Sequence, residues 1–526
     1  MPSRTLYDWF SQAAERYPGE VALEVADTAL TFDELLELSD RIAARLLAAH
    51  GGRPEAVGLL AVRSVAAFAG YLAALRLRTP VVPLNPSFPA NRNVMIARAA
   101  GVAAVLVGAE AGEAYARNYP PGVTTVLRLD DDALVGEISG AARPALPPYT
   151  SAVDEVAYIV FTSGSTGVPK GVPITHRNVD RYIDSQIERY EPGPGSRFSQ
   201  TFELTFDPSI FDMFVCWGSG ATLVVPTAAD LLSPADYARD QGLTHWFSAP
   251  STILVAHQSD ELPPNSLPEI RWSRFSGEAL TLRQARLWRA AAPGSVIENV
   301  YGPTELTMTC SGYRLPADAG EWPATANDTV PIGTVYPYLE SVILDPDGRP
   351  AEDGELCVRG VQRFAGYLDP SSNAGRFMEY DGIRPAAVYR GGTPLTEEHW
   401  YRTGDRVVLL GQDILHLGRL DAQIKLRGFR VELGEVETVL NRHPAVVESA
   451  AVVITSDDVS DLAVAYAGTC THPRELIAFI RESLPLFMVP RTFLHLDRLP
   501  LNINGKVDKH RITADIQERL LAGPAS

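Results

Sequence analysis
Short apolar runs at 56–62, 80–84 and 103–107 are separated by polar turns and by a helical stretch, AAFAGYLAALRL at 66–77. This alternation constrains the fold more than any other feature of the chain. Strands joined through helical crossovers pair in parallel, so the architecture is expected to be α/β. Upstream, residues 6–50 predict two amphipathic helices around a strand, ValAlaLeuGluVal at 21–25. Thr31 is expected to cap the second helix, FDELLELSDRIAARLLAAH.

At 526 residues and 46% apolar content the chain exceeds one ordinary hydrophobic core, so at least two domains are expected. The segment 370–400, rich in Gly, Pro and polar residues, predicts an irregular surface excursion. Near 418–430 the pattern changes, and a helix at 433–442, a strand at 447–454, a helix at 473–484 and a tail follow. These predict a small C-terminal domain of ordinary size.

Composition excludes several function classes. The four cysteines, Cys216, Cys310, Cys357 and Cys470, have neither zinc nor disulfide-framework spacing and are expected to be reduced thiols. A net charge of -18 disfavours nucleic acid and anionic membrane, which recruit clustered Lys and Arg. No apolar run of membrane-spanning length and no signal peptide are found, so a cytoplasmic protein is expected. Any polyanionic ligand must then be held by local donors and a metal.

The strongest local signal is YIVFTSGSTGVPKGVPITH at 158–176. A strand runs into Thr162, Ser163, Gly164, Ser165, Thr166 and Gly167, then Lys170. Small residues let backbone N–H groups and hydroxyls approach phosphate oxygens, and the lysine adds a point charge. No Gly-Lys-Ser/Thr closes the loop, so this is not the Walker pattern. Alone, such a run also fits a flexible loop.

The same stretch resembles the signature loop of the acyl-adenylate-forming superfamily, which includes acyl-CoA synthetases, luciferases and the adenylation domains of nonribosomal peptide synthetases. Further motifs follow in the family's order: FDPSIFDMF at 206–214, ENVYGPTEL at 298–306, GELCVRG at 354–360, YRTGD at 401–405, GRLDAQIKLRGFRVELGEVE at 418–437 and PLNINGKVDK at 500–509. The likeness covers nearly the whole chain and is strongest to freestanding adenylation domains. It implies an adenylation core over 1–417 with parallel and mixed sheets, a hinge at 418–421 and a mobile α+β lid domain over 422–526.

By resemblance, Tyr301 stacks on adenine, Asn299 contacts the base edge, and Gly277, Gly302 and Thr304 complete the nucleotide site. Glu305 would hold Mg²⁺, as suits a hard oxygen ligand facing phosphates. Asp405 would accept hydrogen bonds from both ribose hydroxyls, with Arg419 as its companion. Lys506 matches the lysine that bridges carboxylate, α-phosphate and ribose, and Thr162, Lys170 and Glu305 would join it in catalysis. Asp421 occupies the hinge position, and Gly428 would line the tunnel for the incoming thiol or serve as a turn glycine.

The resemblance therefore implies ATP and Mg²⁺ as reactants and a two-step ligase. A carboxylate is joined to AMP and then passed to the phosphopantetheine thiol of a carrier protein acting in trans, in natural-product biosynthesis. Arginines such as Arg427, Arg430, Arg474 and Arg481 are expected to face the carrier or simply solvent. Asp207 stands where amino-acid-activating relatives pair with the α-ammonium, a fixed carboxylate having a clear purpose there. The remaining pocket positions would be Pro208, Phe211, Phe247, Ser276, Val300, Met308 and Thr309. Phe211, Phe247 and Met308 would fill most of the space, leaving room for a small neutral side chain such as that of alanine. Arg274 lies nearby, and if it points inward an acidic or polar substrate also fits. The alternatives are an acyl- or aryl-CoA synthetase and a catalytically silent scaffold of the same fold.

Overall fold
The computed structural model describes residues 3–111, 122–138, 142–164, 168–421, 423–426, 428–456, 459–501 and 507–522. The chain divides into two compact units. One comprises Met1–Pro86, Val94–Phe161 and Gly171–Leu420, the other Ser87–Asn93, Thr162–Lys170 and Asp421–Ser526. The expected hinge begins inside a strand, since Gly418 and Arg419 close Asp413–Arg419. Both units mix helices with parallel and antiparallel strands, as the α/β expectation requires.

The apolar runs become strands Val57–Leu60, Val81–Leu84 and Ala104–Val107 of a six-stranded sheet. They pair in parallel with each other, and with Thr125–Arg128 and Val156–Thr162 at the flanks. The intervening helix Val65–Arg76 is buried from Val65 through Leu75. A helix apolar all round has no solvent face, and parallel sheets need cover on both sides.

A nine-stranded sheet runs in the order Thr334–Val335, Ser311–Arg314, Val296–Tyr301, Trp272–Phe275, His245–Ser248, Arg197–Ser199, Thr222–Val225, Val21–Val25, Thr28–Thr31. Its centre is parallel and its ends antiparallel. Thr31 caps Phe32–His50 through a reciprocal box with Glu34, as its sequence position predicts.

The segment 370–400 departs from expectation. Phe377–Glu379 and Ala387–Val388 extend an antiparallel sheet built on Leu339–Leu344, Asp353–Gly360 and Trp400–Leu410. Phe377 is fully buried against Phe364, Tyr389 and Tyr401. Isolated anchors in a Gly- and Pro-rich stretch give no periodicity, which is why the sequence reads as irregular there.

In the second unit, strands Gln423–Leu426 and Phe429–Glu432 form a hairpin. Val446–Ser456, Val459–Gly468 and Thr492–Leu496 form a three-stranded sheet. Period-two alternation sends Ala451, Leu462 and Val464 to one face, with residues of helices Leu433–Leu440 and Pro473–Arg481. Ala450, Val452 and Ala463 face the other way, onto Ile512 and Ile516 of Lys509–Ala522. That last helix lies where the sequence suggested only a tail. Among the described residues no helix is long and apolar enough to cross a membrane.

Truncating Phe377 to Ala leaves a cavity where the edge strands are anchored and is expected to cost about 3–5 kcal/mol. Urea unfolding of Phe377→Ala would show this as a lower midpoint; a loss under about 1 kcal/mol would mean the segment is not anchored there.

Candidate functional site
Three neighbouring parallel strands, His245–Ser248, Trp272–Phe275 and Val296–Tyr301, are in register, with Phe247 beside Arg274, Arg274 beside Glu298, and Phe275 beside Asn299. Their carboxyl ends therefore lie together, at Phe247, Ser276, Gly277 and Tyr301, which is where open parallel sheets bind ligands. Ser276 is buried and donates its amide to the Ser248 carbonyl at 3.2 Å. Gly277 follows with φ +90°.

After Tyr301 the chain turns so tightly that a Cβ on Gly302 would meet Thr309 Cα at 2.5 Å and Met308 O at 2.7 Å. Only glycine fits that approach. The short 3₁₀ helix Thr304–Leu306 then carries Glu305 into the interior, where it is fully buried and accepts the Tyr367 hydroxyl at 2.6 Å. Thr307 and Met308 both hold left-handed φ, +56° and +72°. Gln362 pins this strained stretch, donating its Nε2 to the carbonyls of Leu306, Thr307 and Thr309 at 2.8, 3.2 and 2.8 Å.

Tyr301 and Asp405, expected at the base and the ribose, touch directly: the Tyr301 hydroxyl donates to Asp405 Oδ2 at 2.6 Å. Arg419, opposite Asp405 across the strand pair, donates to Oδ1 at 3.2 Å, and His416 Nε2 lies 3.0 Å from the same oxygen. Burial, then the neighbouring Asp405 charge, pushes the Tyr301 phenol well above its ordinary range. His416 belongs to no motif and was missed by sequence reasoning. Asn299 is buried, with Nδ2 donating to the carbonyls of Val330 and Pro331 at 3.0 Å each.

Asp207 stands at the amino end of helix Pro208–Gly218 yet makes no capping bond. The amides it would cap are already used: Ser209 donates to the Phe206 carbonyl and Ile210 to the Asp207 carbonyl, at 3.2 and 2.9 Å. One oxygen, Oδ2, is buried without a hydrogen-bond partner. Burial raises its carboxyl to about 6; the Thr304 hydroxyl lowers it and the Glu305 charge raises it further. An unsatisfied buried carboxylate oxygen suits an incoming cation.

Around it, Phe211, Phe247, Val300, Met308 and Thr309 are all buried, with the Phe211 and Phe247 rings 5.2 Å apart, edge to face. Arg274 is drawn fully inside. Its guanidinium lies 3.9 Å from the Phe211 ring centre and donates to Tyr182 Oη at 2.8 Å and Thr309 Oγ1 at 2.9 Å.

In the second unit, Thr162 and Ser163 are buried, and a Cβ on Gly164 would meet Val168 O at 2.0 Å. Lys170 opens the strand Lys170–Thr175. Gly428 sits in the hairpin turn with φ +81°, the conformation of a turn glycine. Asp421 Oδ1 accepts the Gln423 amide at 3.2 Å. Ser165, Thr166, Gly167, Arg427 and Lys506 lie outside the described residues. Among the described residues no group of three or more His, Cys, Asp or Glu side chains forms a metal cluster.

Residues 10–368 match the family described as AMP-binding enzyme, and 435–506 match its C-terminal domain. The chain is 36% identical, over 97% of its length, to the phosphinothricin tripeptide synthetase PhsC of Streptomyces viridochromogenes, of which it spans 45%. It is 32% identical, over 98% of its length and the whole of the relative, to an L-proline–[L-prolyl-carrier protein] ligase of Pseudomonas fluorescens. Among solved structures, IdnL7 matches at 37% identity and a TM-score of 0.70, covering 98% of this chain and 99% of that one. The Vibrio cholerae adenylation domain AlmE, solved with glycyl-adenosine-5'-phosphate, matches at 25% identity and 0.79, covering 98% of each.

Because the folded state holds the Asp207 proton up to about pH 6, an ionised Asp207 destabilises the free protein at higher pH, and stability returns as pH falls through 6 toward 4. Asp207→Asn is expected to raise stability by up to about 3 kcal/mol at pH 8, the gain vanishing below about pH 4. Denaturant midpoints across pH 4–8 without ligand check this; a gap that does not change with pH would show that Asp207 keeps an ordinary carboxyl.

Proposed function
The chain belongs to the AMP-binding enzyme family, and on that footing we propose that it is a ligase that activates an amino acid with ATP and loads it onto a separate carrier protein. In the first step a substrate carboxylate oxygen bonds to the α-phosphorus of ATP and the bond to the bridging β-phosphate oxygen breaks, releasing pyrophosphate. In the second, a phosphopantetheine thiol on the carrier loses its proton, its sulfur bonds to the acyl carbon, and AMP leaves. Two relatives support these two half-reactions: one is named for joining proline to its carrier protein, and another was solved with glycyl-adenosine-5'-phosphate.

The observation that carries the reading is the buried, unpartnered oxygen of Asp207 next to the Thr304–Leu306 turn. A plain carboxylic acid gives it nothing to bind; an α-ammonium satisfies it. Tyr301 would flank the adenine, with Asn299, Gly277, Gly302 and Thr304 around the nucleotide. Asp405, held from both sides by Tyr301 and Arg419, would meet the ribose through the remaining lone pairs of its oxygens. Glu305 would hold Mg²⁺, which when bound neutralises phosphate charge. Thr162 to Gly167 and Lys170 would cradle the phosphates. Lys506 would bring carboxylate and α-phosphate together, Asp421 would act as hinge, and Gly428 would border the thiol path.

Phe211, Phe247 and Met308 would crowd the pocket, together with Pro208, Ser276, Val300 and Thr309, and favour a small neutral side chain, while the inward Arg274 also admits a small acidic or polar one. We place the reaction in the cytoplasm, in natural-product assembly.

Amino-acid-dependent ATP–pyrophosphate exchange tests the reading. Across a panel of proteinogenic and β-amino acids, one small amino acid should drive exchange, and Asp207→Ala should raise its KM at least tenfold. Exchange with only aryl or fatty acids would move the protein to CoA ligation. Lys506→Ala should abolish exchange while sparing transfer from supplied aminoacyl-AMP; equal loss of both steps would count against its assignment to adenylation alone.

A further inference from the structure
The strand pair Trp400–Leu410 and Asp413–Arg419 carries a bulge beside the Asp405 carboxylate. Asp405 faces Arg419 and Arg406 faces Gly418, but Val407 faces His416, so Leu417 is an extra residue opposite no residue of the other strand. Side chains alternate along a strand, so Arg419 and His416, three positions apart, would otherwise point to opposite sides. The extra residue removes that offset. His416 shares the face of Val407, which is also the face of Asp405, and Asp405 therefore meets both His416 and Arg419. The Asn327 side-chain amide donates to the His416 carbonyl at 2.9 Å and ties down the backbone at the bulge.

The contacts on the two carboxylate oxygens are unequal. Tyr301 donates to Oδ2 at 2.6 Å. Arg419 Nη1 reaches Oδ1 at 3.2 Å, but that same nitrogen lies closer to the Thr403 carbonyl, at 2.8 Å. His416 Nε2, at 3.0 Å, is the nearer of these two donors to Oδ1. An ionised carboxylate paired with a guanidinium can only accept, so Nε2 carries the hydrogen. The last torsion of an Asp side chain is broad, and a donor on each oxygen is what fixes it. The imidazole also leans on Tyr301, with ring centres 5.9 Å apart, so it borders the position read above as the adenine site.

We infer that His416 is a positioning residue. Its Nε2–H, carried onto the Asp405 face by the Leu417 bulge, sets the rotation of the Asp405 carboxylate and, through it, the preference of the site for a nucleotide with both ribose hydroxyls. This inference rests on the reading of Asp405 as the ribose acceptor and adds the residue that aims that acceptor.

Calorimetric titration of the full chain with ATP, 2'-deoxy-ATP and 3'-deoxy-ATP, each with Mg²⁺, tests it. ATP should bind more tightly than either deoxy analogue. His416→Phe keeps a ring against Tyr301 and loses the N–H, and should shrink at least one of the two preference ratios by about fivefold, as the loss of one hydrogen bond requires. His416→Gln, whose amide N–H can stand in for Nε2–H, should keep both ratios within about twofold of their starting values. General loss of folding weakens all three nucleotides alike and leaves the ratios unmoved. Unchanged ratios in His416→Phe, or ratios lost equally in His416→Gln, would overturn the inference and leave Asp405 as the ribose acceptor. Equal binding of all three nucleotides by the unaltered protein would overturn the ribose reading of Asp405 along with it. Binding of none of them would overturn the amino-acid-activating reading as well.

Discussion

The register of three parallel strands underlies everything at the site. Because His245–Ser248, Trp272–Phe275 and Val296–Tyr301 pair residue for residue, their carboxyl ends deliver Phe247, Ser276, Gly277 and Tyr301 to one edge of the sheet. A slip of one residue would turn Arg274 and Phe247 to the opposite face and dismantle the pocket wall. Parallel strands such as these need cover on both faces. In the six-stranded sheet, helix Val65–Arg76, buried from Val65 through Leu75, supplies part of that cover.

A second constraint is electrostatic. The chain carries a net charge of -18, yet Asp207, Asp212, Glu305 and Asp405 are held inside. The four are handled differently. Asp405 is satisfied by Tyr301, His416 and Arg419, and one Glu305 oxygen by Tyr367. Asp207 keeps one bare oxygen and Asp212 two. Satisfied carboxylates stiffen the frame, whereas burial pushes Asp207 and Asp212 toward their neutral forms.

Much of this was legible in the sequence. The strand–helix alternation announced the parallel sheet, and Thr31 marked a helix start that the capping box realises. Tyr301, Glu305, Asp405 and Arg419 stood in recognisable motifs, and the structure sets Tyr301 and Arg419 directly on Asp405. What was not legible depends on residues distant in the chain. His416 reaches Asp405 only through strand pairing, and Tyr182 reaches Arg274 from a helix 92 positions away. Val459–Gly468 escaped notice because Leu462 to Ala467 are buried without interruption, and an unbroken Ala-rich run shows neither period.

The turn from Tyr301 to Cys310 owes its shape to another part of the chain. Two successive left-handed residues are strained by themselves, and the Gln362 side chain and Phe364 amide hold them in place. The Thr307 hydroxyl answers by donating to the Gln362 carbonyl at 2.7 Å. Geometry here is thus a property of two segments jointly, and neither encodes it by itself. For anyone recombining relatives of this protein, the exchangeable module is the loop together with residues 362–367. A crossover placed between them would transplant the motif's letters without its conformation.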